Sequence, residues 1–368
     1  SLCMSTYKAA KQGSDHKRVP DNVKENPTIV GHEFCGEIVK VGDKWEDDFS
    51  FEQKFSIQPA LNYQGTLDAP GYSFQYIGGD ATYIKIPHQV MEMNCLLDYE
   101  GDAYFYGSLA EPISCIIGAF NAQYHRQQGT YQHEMGIAEN SKMALLASAG
   151  PMGLGAIEYA VKIAQPEFLV VTDIDSDRLN RASQVLSPEE ASEYGVELKY
   201  VNPTEFDDPE DQLLALVDGE GYDDVFVFAP VRPVVEQADA ILGKDGCLNF
   251  FAGPTDKDFK AELNFYDVHY NSKHIVGTSG GNSDDMRQAL KLMGAGKIDP
   301  AAMITHIGGI NSVIDTTLNL PDIPGGKKLI YTNIDLELTA IDDFEEKGKE
   351  DPLFATLAEI VEDNGGVW

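Results

Sequence analysis

The run KMALLASAGPMGLGAIEYAVKIAQPEFLVVTDIDSDRL, residues 142–179, sets the topology expected for this chain. The apolar residues at 143–147 predict a strand, and those recurring at three- and four-residue intervals over 154–163 predict a helix. A second apolar run, 168–172, predicts another strand, which ends on Asp173. Strand, turn, helix and strand in this order form a βαβ unit.

The turn between the first strand and the helix has the residues needed to hold a pyrophosphate. Gly150 lets the backbone approach the anion, and Gly153 lets the helix pack close to the strand. Pro151 and Met152 lie between these glycines in the turn, and the first free N–H groups of the helix that follows attract negative charge. Asp173 can accept hydrogen bonds from both hydroxyls of an adenosine ribose and would repel a 2′-phosphate. We therefore predict a dinucleotide-binding unit that takes NAD(H) rather than NADP(H).

Two residues of this unit depart from the simplest pattern. Ser148 stands in place of the first glycine of the usual fingerprint, so the glycine spacing alone is a weak signal. Arg178, five residues beyond Asp173, is a further cofactor-binding candidate because its guanidinium could meet a 2′-phosphate.

Composition limits the class of protein. The chain has 368 residues, long enough for two domains, and a formal net charge of −33, which disfavours nucleic acids and anionic membranes as partners. No apolar run reaches membrane-spanning length and no signal peptide is evident, so we expect a cytoplasmic protein. Five scattered cysteines without a CxxC pair argue against a disulfide framework.

The rest of the chain divides into two patterns. Residues 28–87 contain short apolar runs with turn signals and predict an all-β region, whereas Glu111 and Pro112 are expected to open a helix that runs to about Gln123. After the βαβ unit, strands and helices alternate, which predicts an α/β domain with a parallel sheet. The expected elements are strands at 222–229, 246–251 and 274–278 and helices at 234–242 and 284–293.

Three residues of the first region are candidate metal ligands. Cys3, His32 and Glu33 offer the sulfur, nitrogen and oxygen donors that Zn²⁺ accepts in one tetrahedral site, and Glu111 is a fourth candidate. Three protein ligands and one exchangeable position would make a catalytic site. Each residue taken alone also has an ordinary interpretation, as a small core residue, a hydrogen-bonded turn residue or a surface charge.

The order of these residues resembles a known family. The run GHEFCGEIVKVG, residues 31–42, resembles the signature of the zinc-dependent medium-chain dehydrogenases, and Cys3 stands where that family has its first ligand. The pair Glu111-Pro112 is similar to one carried by the polyol (sorbitol) dehydrogenase branch. The resemblance implies a GroES-like β domain followed by a doubly wound, parallel-sheet Rossmann domain, and a C-terminal return to the first domain. The implied boundaries are 1–117, 118–304 and 305–368.

The resemblance also implies site roles and stoichiometry. Cys3, His32 and Glu33 would bind one catalytic zinc, with Glu111 as a fourth ligand or exchanging with water, and Ser5 would begin a proton relay. No structural zinc is expected, because residues 56–94 contain no cysteine. The family would place a further segment before Ser1, so we expect that an N-terminal piece lies outside this sequence. Members commonly assemble as homo-oligomers, so a dimer or tetramer is expected.

Longer runs narrow the substrate. They are similar to the L-sorbose 1-phosphate reductases of this family, which interconvert a ketose 1-phosphate and a hexitol phosphate, and they comprise CMSTYKAAKQGSDHKRVP (3–20), GCLNFFAGPTDK (246–257), NFYDVHYNSKHIVGTSGG (264–281) and LNLPDIPGGKKLIY (318–331). The first hypothesis is therefore a zinc-dependent, NAD(H)-linked sugar-phosphate reductase. A polyol dehydrogenase acting on unphosphorylated alditols and a catalytically silent dinucleotide-binding protein are the alternatives. Candidate groups for the substrate phosphate are Lys8, Lys17, Arg18 and Lys85.

Overall fold

The computed structural model describes residues 1–127 and 129–368. The α-helices, in chain order, are α1 (Met4–Gln12), α2 (His88–Glu92), α3 (Tyr104–Ala122), α4 (Pro151–Tyr159), α5 (Ser176–Val185), α6 (Pro188–Glu193), α7 (Pro209–Ala215), α8 (Arg232–Ile241), α9 (Phe265–Tyr270), α10 (Ser283–Gly294), α11 (Val313–Asn319), α12 (Phe344–Gly348) and α13 (Pro352–Asp363). The strands are β1 (Cys35–Glu37), β2 (Lys54–Ile57), β3 (Leu96–Asp98), β4 (Tyr124–Arg126), β5 (His133–Met135), β6 (Lys142–Leu146), β7 (Phe168–Thr172), β8 (Glu197–Val201), β9 (Tyr222–Val227), β10 (Leu242–Phe250), β11 (His274–Gly277), β12 (Ile304–Gly309), β13 (Lys327–Tyr331) and β14 (Thr339–Ala340).

The chain forms two compact units. One contains residues 1–114 and 282–368, and the other contains residues 115–281. The second boundary differs from the one expected after residue 304, because α10 contributes to the core of the first unit. Met286 of that helix is fully buried in a cluster with Leu97 and Ala110.

A six-stranded parallel sheet forms the centre of the second unit. Its strand order is β11-β10-β9-β6-β7-β8, and every neighbouring pair is parallel. From β6 the chain first adds β7 and β8 on one side of the sheet and then adds β9, β10 and β11 on the other side. This strand order is that of a doubly wound sheet. The prediction of a parallel α/β domain is therefore confirmed, and the strand expected at 168–172 has the predicted bounds. All five of its residues are buried, which explains the continuous apolar run.

The helix that follows the glycine turn starts earlier than its apolar pattern indicates. α4 begins at Pro151, in the first helical position that proline favours, three residues before the predicted start. Its last turn, Ala160–Ala164, is a π-helix and ends at Gln165 in the left-handed conformation. The helix therefore ends at Ala164, one residue after the predicted end.

The first unit contains two small sheets and more helix than expected. β1, β2 and β3 form an antiparallel sheet, and β12 lies between β13 and β14. The strand predicted at residues 81–87 is wrong, because those residues form no strand, and they are followed directly by helix α2. Helix α1 also was not predicted, because its sequence is largely polar. The helix is held by tertiary packing, since Ala9 is buried in a cluster with Ala69 and Tyr72.

The helix expected to open at Glu111 instead begins at Tyr104, so Pro112 lies inside α3. The early turns carry glycine and polar residues that hide the helical pattern. Gly107 is required there for close packing, because a Cβ atom on it would lie 2.4 Å from the Cys35 Sγ atom. Among the described residues, no helix is both long and apolar enough to span a bilayer.

Candidate metal centre and dinucleotide site

Cys3, His32 and Glu33 lie together in the first unit. One potential ligand atom from each lies within 4.8 Å of those of the other two. Cys3 immediately precedes α1, and the pair 32–33 follows Gly31, whose φ of +90° favours glycine. A Cβ atom on Gly31 would also lie 2.7 Å from Asp80 Oδ1. A thiol, an imidazole and a carboxylate at this separation fit the donor set of a zinc site.

The state of His32 suits a metal ligand. The ring is buried, with Nδ1 3.3 Å from Thr6 Oγ1 and Nε2 3.4 Å from Tyr72 Oη. Burial lowers the pKa of His32, although the nearby Glu111 and Glu33 carboxylates oppose that shift. The imidazole is therefore held in the neutral form, which is the form that binds metal ions.

The Cys3 thiol needs a cation to ionise. Burial is the main cause that raises the pKa of Cys3, the Glu33 carboxylate raises it further, and Lys327 opposes them. A metal ion bound here would displace the thiol proton, because thiolate is the ligating form.

Lys327 is a component of this centre that the sequence did not indicate. Its ammonium group on β13 donates to the Glu33 carboxylate, and both side chains are almost completely buried. Burial raises the pKa of Glu33, but the charge and hydrogen bond of Lys327 and the nearby His32 act together against it and bring that pKa to about 2. Burial lowers the pKa of Lys327, but Glu33, with Cys3 and Glu111, acts against burial and raises that pKa above its usual value. Both groups are therefore charged near neutral pH.

Glu111 is a buried neighbour of the centre, but it is not among the three residues whose donor atoms converge. Burial raises its pKa to about 7, helped by Glu33 and Cys3 and opposed by His32 and Lys327. Its role as a fourth ligand remains a prediction. A carboxyl group with a pKa near neutrality can also exchange protons under physiological conditions.

Ser5, in the first turn of α1, lies next to the metal centre. Its side chain is near enough to the Cys3 thiol and to Tyr72 to lower the pKa of each, and Tyr72 in turn contacts His32. Burial raises the pKa of Tyr72 well above its usual value, so the phenol stays protonated. Ser5 therefore has hydroxyl and thiol neighbours at the site, while its relay role remains a prediction.

The glycine turn in the second unit has the shape expected of a phosphate cradle. Gly150 caps the N-terminus of α4, and a Cβ atom on it would meet nothing within 4 Å. A Cβ atom on Gly153 would lie 1.5 Å from the carbonyl oxygen of Ser148, so only glycine allows this approach of helix and turn. Ser148 fits without the missing glycine because its hydroxyl group donates to the Leu145 carbonyl, at 2.8 Å.

Asp173 lies at the end of β7, and its carboxylate is fixed by the turn. Its Oδ2 atom accepts a hydrogen bond from the Ala149 N–H at 3.1 Å, and its Oδ1 atom accepts one from the Asp175 N–H at 3.1 Å. Each oxygen keeps further acceptor capacity for a ribose hydroxyl. Arg178 pairs instead with Asp175, 3.4 Å away, at the exposed start of α5.

The chain combines a candidate metal centre with a glycine turn of the kind that binds dinucleotides in a doubly wound sheet. These features define the class of metal-dependent dehydrogenases. Residues 151–295 match the family model described as zinc-binding dehydrogenase. The chain is 54% identical to mannitol-1-phosphate 5-dehydrogenase of Aliivibrio fischeri and 49% identical to L-sorbose 1-phosphate reductase of Klebsiella pneumoniae. Each alignment covers 100% of this chain and 87% of the relative. The chain belongs to the zinc-binding dehydrogenase family and is an oxidoreductase.

The fold agrees with this assignment. The solved structure of galactitol-1-phosphate dehydrogenase from Escherichia coli is similar to this chain, with a TM-score of 0.66 and 21% sequence identity. The match covers 90% of each chain. The prediction of the family, and of a Rossmann sheet with a GroES-like companion, is confirmed.

Proposed function

We propose that this protein is a zinc-dependent, NAD(H)-linked oxidoreductase that interconverts a ketose phosphate and a hexitol phosphate. The observation that carries the proposal is the convergence of Cys3, His32 and Glu33 in a chain that is about half identical to two sugar-phosphate oxidoreductases. A catalytically silent protein would have no need to keep this donor set beside a buried Lys327.

Each residue of the centre has a role in this proposal. Cys3, His32 and Glu33 would hold the zinc ion, which supplies Lewis-acid polarisation of the substrate carbonyl. Lys327 neutralises and orients Glu33, as residues around metal ligands commonly do.

The reaction requires one hydride and one proton. In the reducing direction, bound NADH would supply the hydride to the carbonyl carbon and the oxygen would take a proton, so that NADH, H⁺ and the ketone would give NAD⁺ and the alcohol. Ser5 would deliver that proton, since its side chain lies near both Cys3 and Tyr72. Glu111, whose pKa is about 7, could exchange that proton near neutral pH.

The two relatives place the phosphate differently relative to the reacting carbon. In L-sorbose 1-phosphate the phosphate is on the carbon next to the ketone, whereas a 5-dehydrogenase acts on mannitol 1-phosphate four carbons from the phosphate. The four long runs quoted above are similar to the reductases that use the ketose 1-phosphate, whereas the identity over the whole chain is higher to mannitol-1-phosphate 5-dehydrogenase, at 54% against 49%, so the kinetics below must compare both substrates.

The test measures steady-state kinetics with four substrates: L-sorbose 1-phosphate and free L-sorbose with NADH, and mannitol 1-phosphate and free mannitol with NAD⁺. We expect kcat/KM to fall by orders of magnitude when the phosphate is removed, because binding of a remote phosphate can hold the reacting carbon in place. Equal efficiency with and without phosphate would favour a polyol dehydrogenase. Absence of turnover with all four, in zinc-loaded protein, would contradict the proposal.

A further inference from the structure

Two basic side chains, His16 and Arg18, pack against the aromatic ring of Tyr72 in the first unit, and Lys8 and Lys17 lie near enough to act on them. The His16 ring stacks on Tyr72 with centroids 5.5 Å apart and planes 3° apart, and the Arg18 guanidinium lies 5.7 Å from the Tyr72 centroid. Burial lowers the pKa of His16, and the charges of Lys17, Arg18 and Lys8 lower it further. Burial, then Arg18 and Lys8, likewise lower the pKa of Lys17. We call Lys8, His16, Lys17 and Arg18 the basic cluster.

The basic cluster lies next to the metal centre. Tyr72 contacts both, because its hydroxyl group is 3.4 Å from His32 Nε2 and the two ring centroids are 4.9 Å apart. Burial lowers the pKa of Lys8, and the Cys3 thiol is near enough to oppose that shift. An anion held at the cluster could therefore belong to a molecule whose other end reaches the zinc ligands.

Two members of the basic cluster, Lys17 and Arg18, have no acidic partner among the described residues. Among residues 1–127 and 129–368, no carboxylate forms an ion pair with Lys17 or Arg18, although the chain has 60 acidic residues and only 27 lysines and arginines. Like charges at close range repel one another, so the cluster costs stability unless an anion binds. Such an arrangement is typical of a binding site for a multiply charged anion.

Arg18 is positioned to bind a phosphate. Its backbone is anchored because the Ser73 hydroxyl donates to the Arg18 carbonyl at 2.7 Å. Its guanidinium makes one hydrogen bond within the described residues, to the Leu67 carbonyl at 3.3 Å, which leaves further N–H donors. Guanidinium groups bind phosphate oxygens in pairs, and a neighbouring lysine adds a mobile positive charge.

We infer that Lys17 and Arg18 bind the phosphate group of the substrate, with Lys8 adding to the positive field and Tyr72 supporting the Arg18 side chain. The inference rests on the proposed function, because it assigns a place to the phosphate that the proposed substrate carries. It makes these two residues the determinants of selectivity for phosphorylated over free sugars.

The test compares Lys17→Ala, Arg18→Gln and Arg18→Lys with wild-type protein. We expect kcat/KM for the sugar phosphate to fall by about 10- to 100-fold in the first two variants, mainly through KM, as for loss of a charged hydrogen bond. Arg18→Lys should recover part of that loss. Activity with the free sugar should change by less than about twofold, because it has no charge for these residues to bind. Lys24→Ala, an exposed lysine of the same region, is the matched control and should behave as wild type.

A second measurement does not depend on turnover. Inorganic phosphate should bind metal-free wild-type protein in a calorimeter, compete with the sugar phosphate in kinetics, and bind Lys17→Ala and Arg18→Gln at least about tenfold more weakly. If Arg18→Gln is shown to unfold, Lys17→Ala decides the result. Phosphate-dependent turnover that survives in Lys17→Ala, with unchanged KM and phosphate binding, would overturn the inference and leave the proposed function intact. If wild-type protein uses no sugar phosphate, the proposed function itself fails.

Discussion

The ammonium group of Lys327 lies against the carboxylate of Glu33, although 294 residues separate them in the sequence. Both side chains are nearly inaccessible to solvent, so water cannot solvate either charge if its partner is lost. Removal of one partner leaves the other as an uncompensated buried charge. The segment that returns to the first unit thus completes the surroundings of a candidate metal ligand.

The Lys327→Met variant should be strongly destabilised in metal-free protein. We expect a loss of about 3–5 kcal/mol in the free energy of unfolding, measured by denaturant titration. The double variant Glu33→Gln with Lys327→Met should recover part of this loss, because it leaves no buried charge alone. Lys349→Met removes an exposed ion pair with Glu346 and should have little effect. If the double variant is no more stable than Lys327→Met, the pair is not the cause.

The protein should bind one zinc ion per chain, and His32→Ala should remove it. Among the described residues, only one group of three potential ligands converges within 4.8 Å. Elemental analysis of purified protein measures the stoichiometry, and circular dichroism checks that the fold is retained. His88→Ala changes an exposed histidine and should keep the metal. Two zinc ions per chain, or full zinc in His32→Ala, would contradict the assignment.

The parts of the fold that local pattern determines could be predicted, and the parts that distant contacts determine could not. The strand Phe168–Thr172 was identified because all five residues are buried and the first four are apolar. Helix Met4–Gln12 was missed because its stability comes from packing on residues more than fifty positions away, including Tyr72. Lys327 was missed for the same reason, since nothing in a short strand sequence shows that a lysine will meet a buried carboxylate.

A buried network around Asp224 should make stability depend on pH. The carboxylate accepts hydrogen bonds from Gln123 Nε2 at 3.0 Å and Ser141 Oγ at 2.7 Å, and His125 Nε2 lies 3.1 Å from it. Burial lowers the pKa of His125, but the hydrogen bond and charge of Asp224 and the contact with Asp245 together outweigh burial and raise that pKa. A raised pKa means that protonated His125 stabilises the fold below the unfolded-state value of about 6.5, and that this contribution is lost as pH rises through the folded-state value.

His125→Gln should therefore destabilise the protein most at low pH. We expect the difference in unfolding free energy between wild type and His125→Gln to be largest near pH 5.5 and to shrink toward about pH 8.5. Denaturant titrations at several pH values measure this difference. His88→Ala, at an exposed histidine, should show no such trend. A difference that is constant across the range would contradict a role for protonated His125.

Asp173 should make the enzyme prefer NADH to NADPH. The two backbone hydrogen bonds from Ala149 and Asp175 fix its carboxylate at the end of β7. Hydrogen bonds from two ribose hydroxyls to a charged group contribute roughly 1.5–3 kcal/mol each. A 2′-phosphate a few ångströms away would instead be repelled by about 4 kcal/mol at an effective dielectric constant of 20. Half of that total corresponds to a preference of at least about a hundredfold.

The variants Asp173→Asn and Asp173→Ser separate the charge from the fold. Both variants weaken the charged hydrogen bonds to the NADH ribose and remove the repulsion of the NADPH 2′-phosphate. The ratio of kcat/KM for NADH to that for NADPH should therefore fall by at least about tenfold, mainly because NADH binds less tightly. Asparagine keeps one acceptor oxygen for the turn, so Asp173→Asn should be the more stable of the two. Asp177→Asn, an exposed acid at the start of α5, should leave the ratio unchanged. If both Asp173 variants lose stability while the ratio stays constant, Asp173 only holds the turn, and the cofactor preference must arise elsewhere.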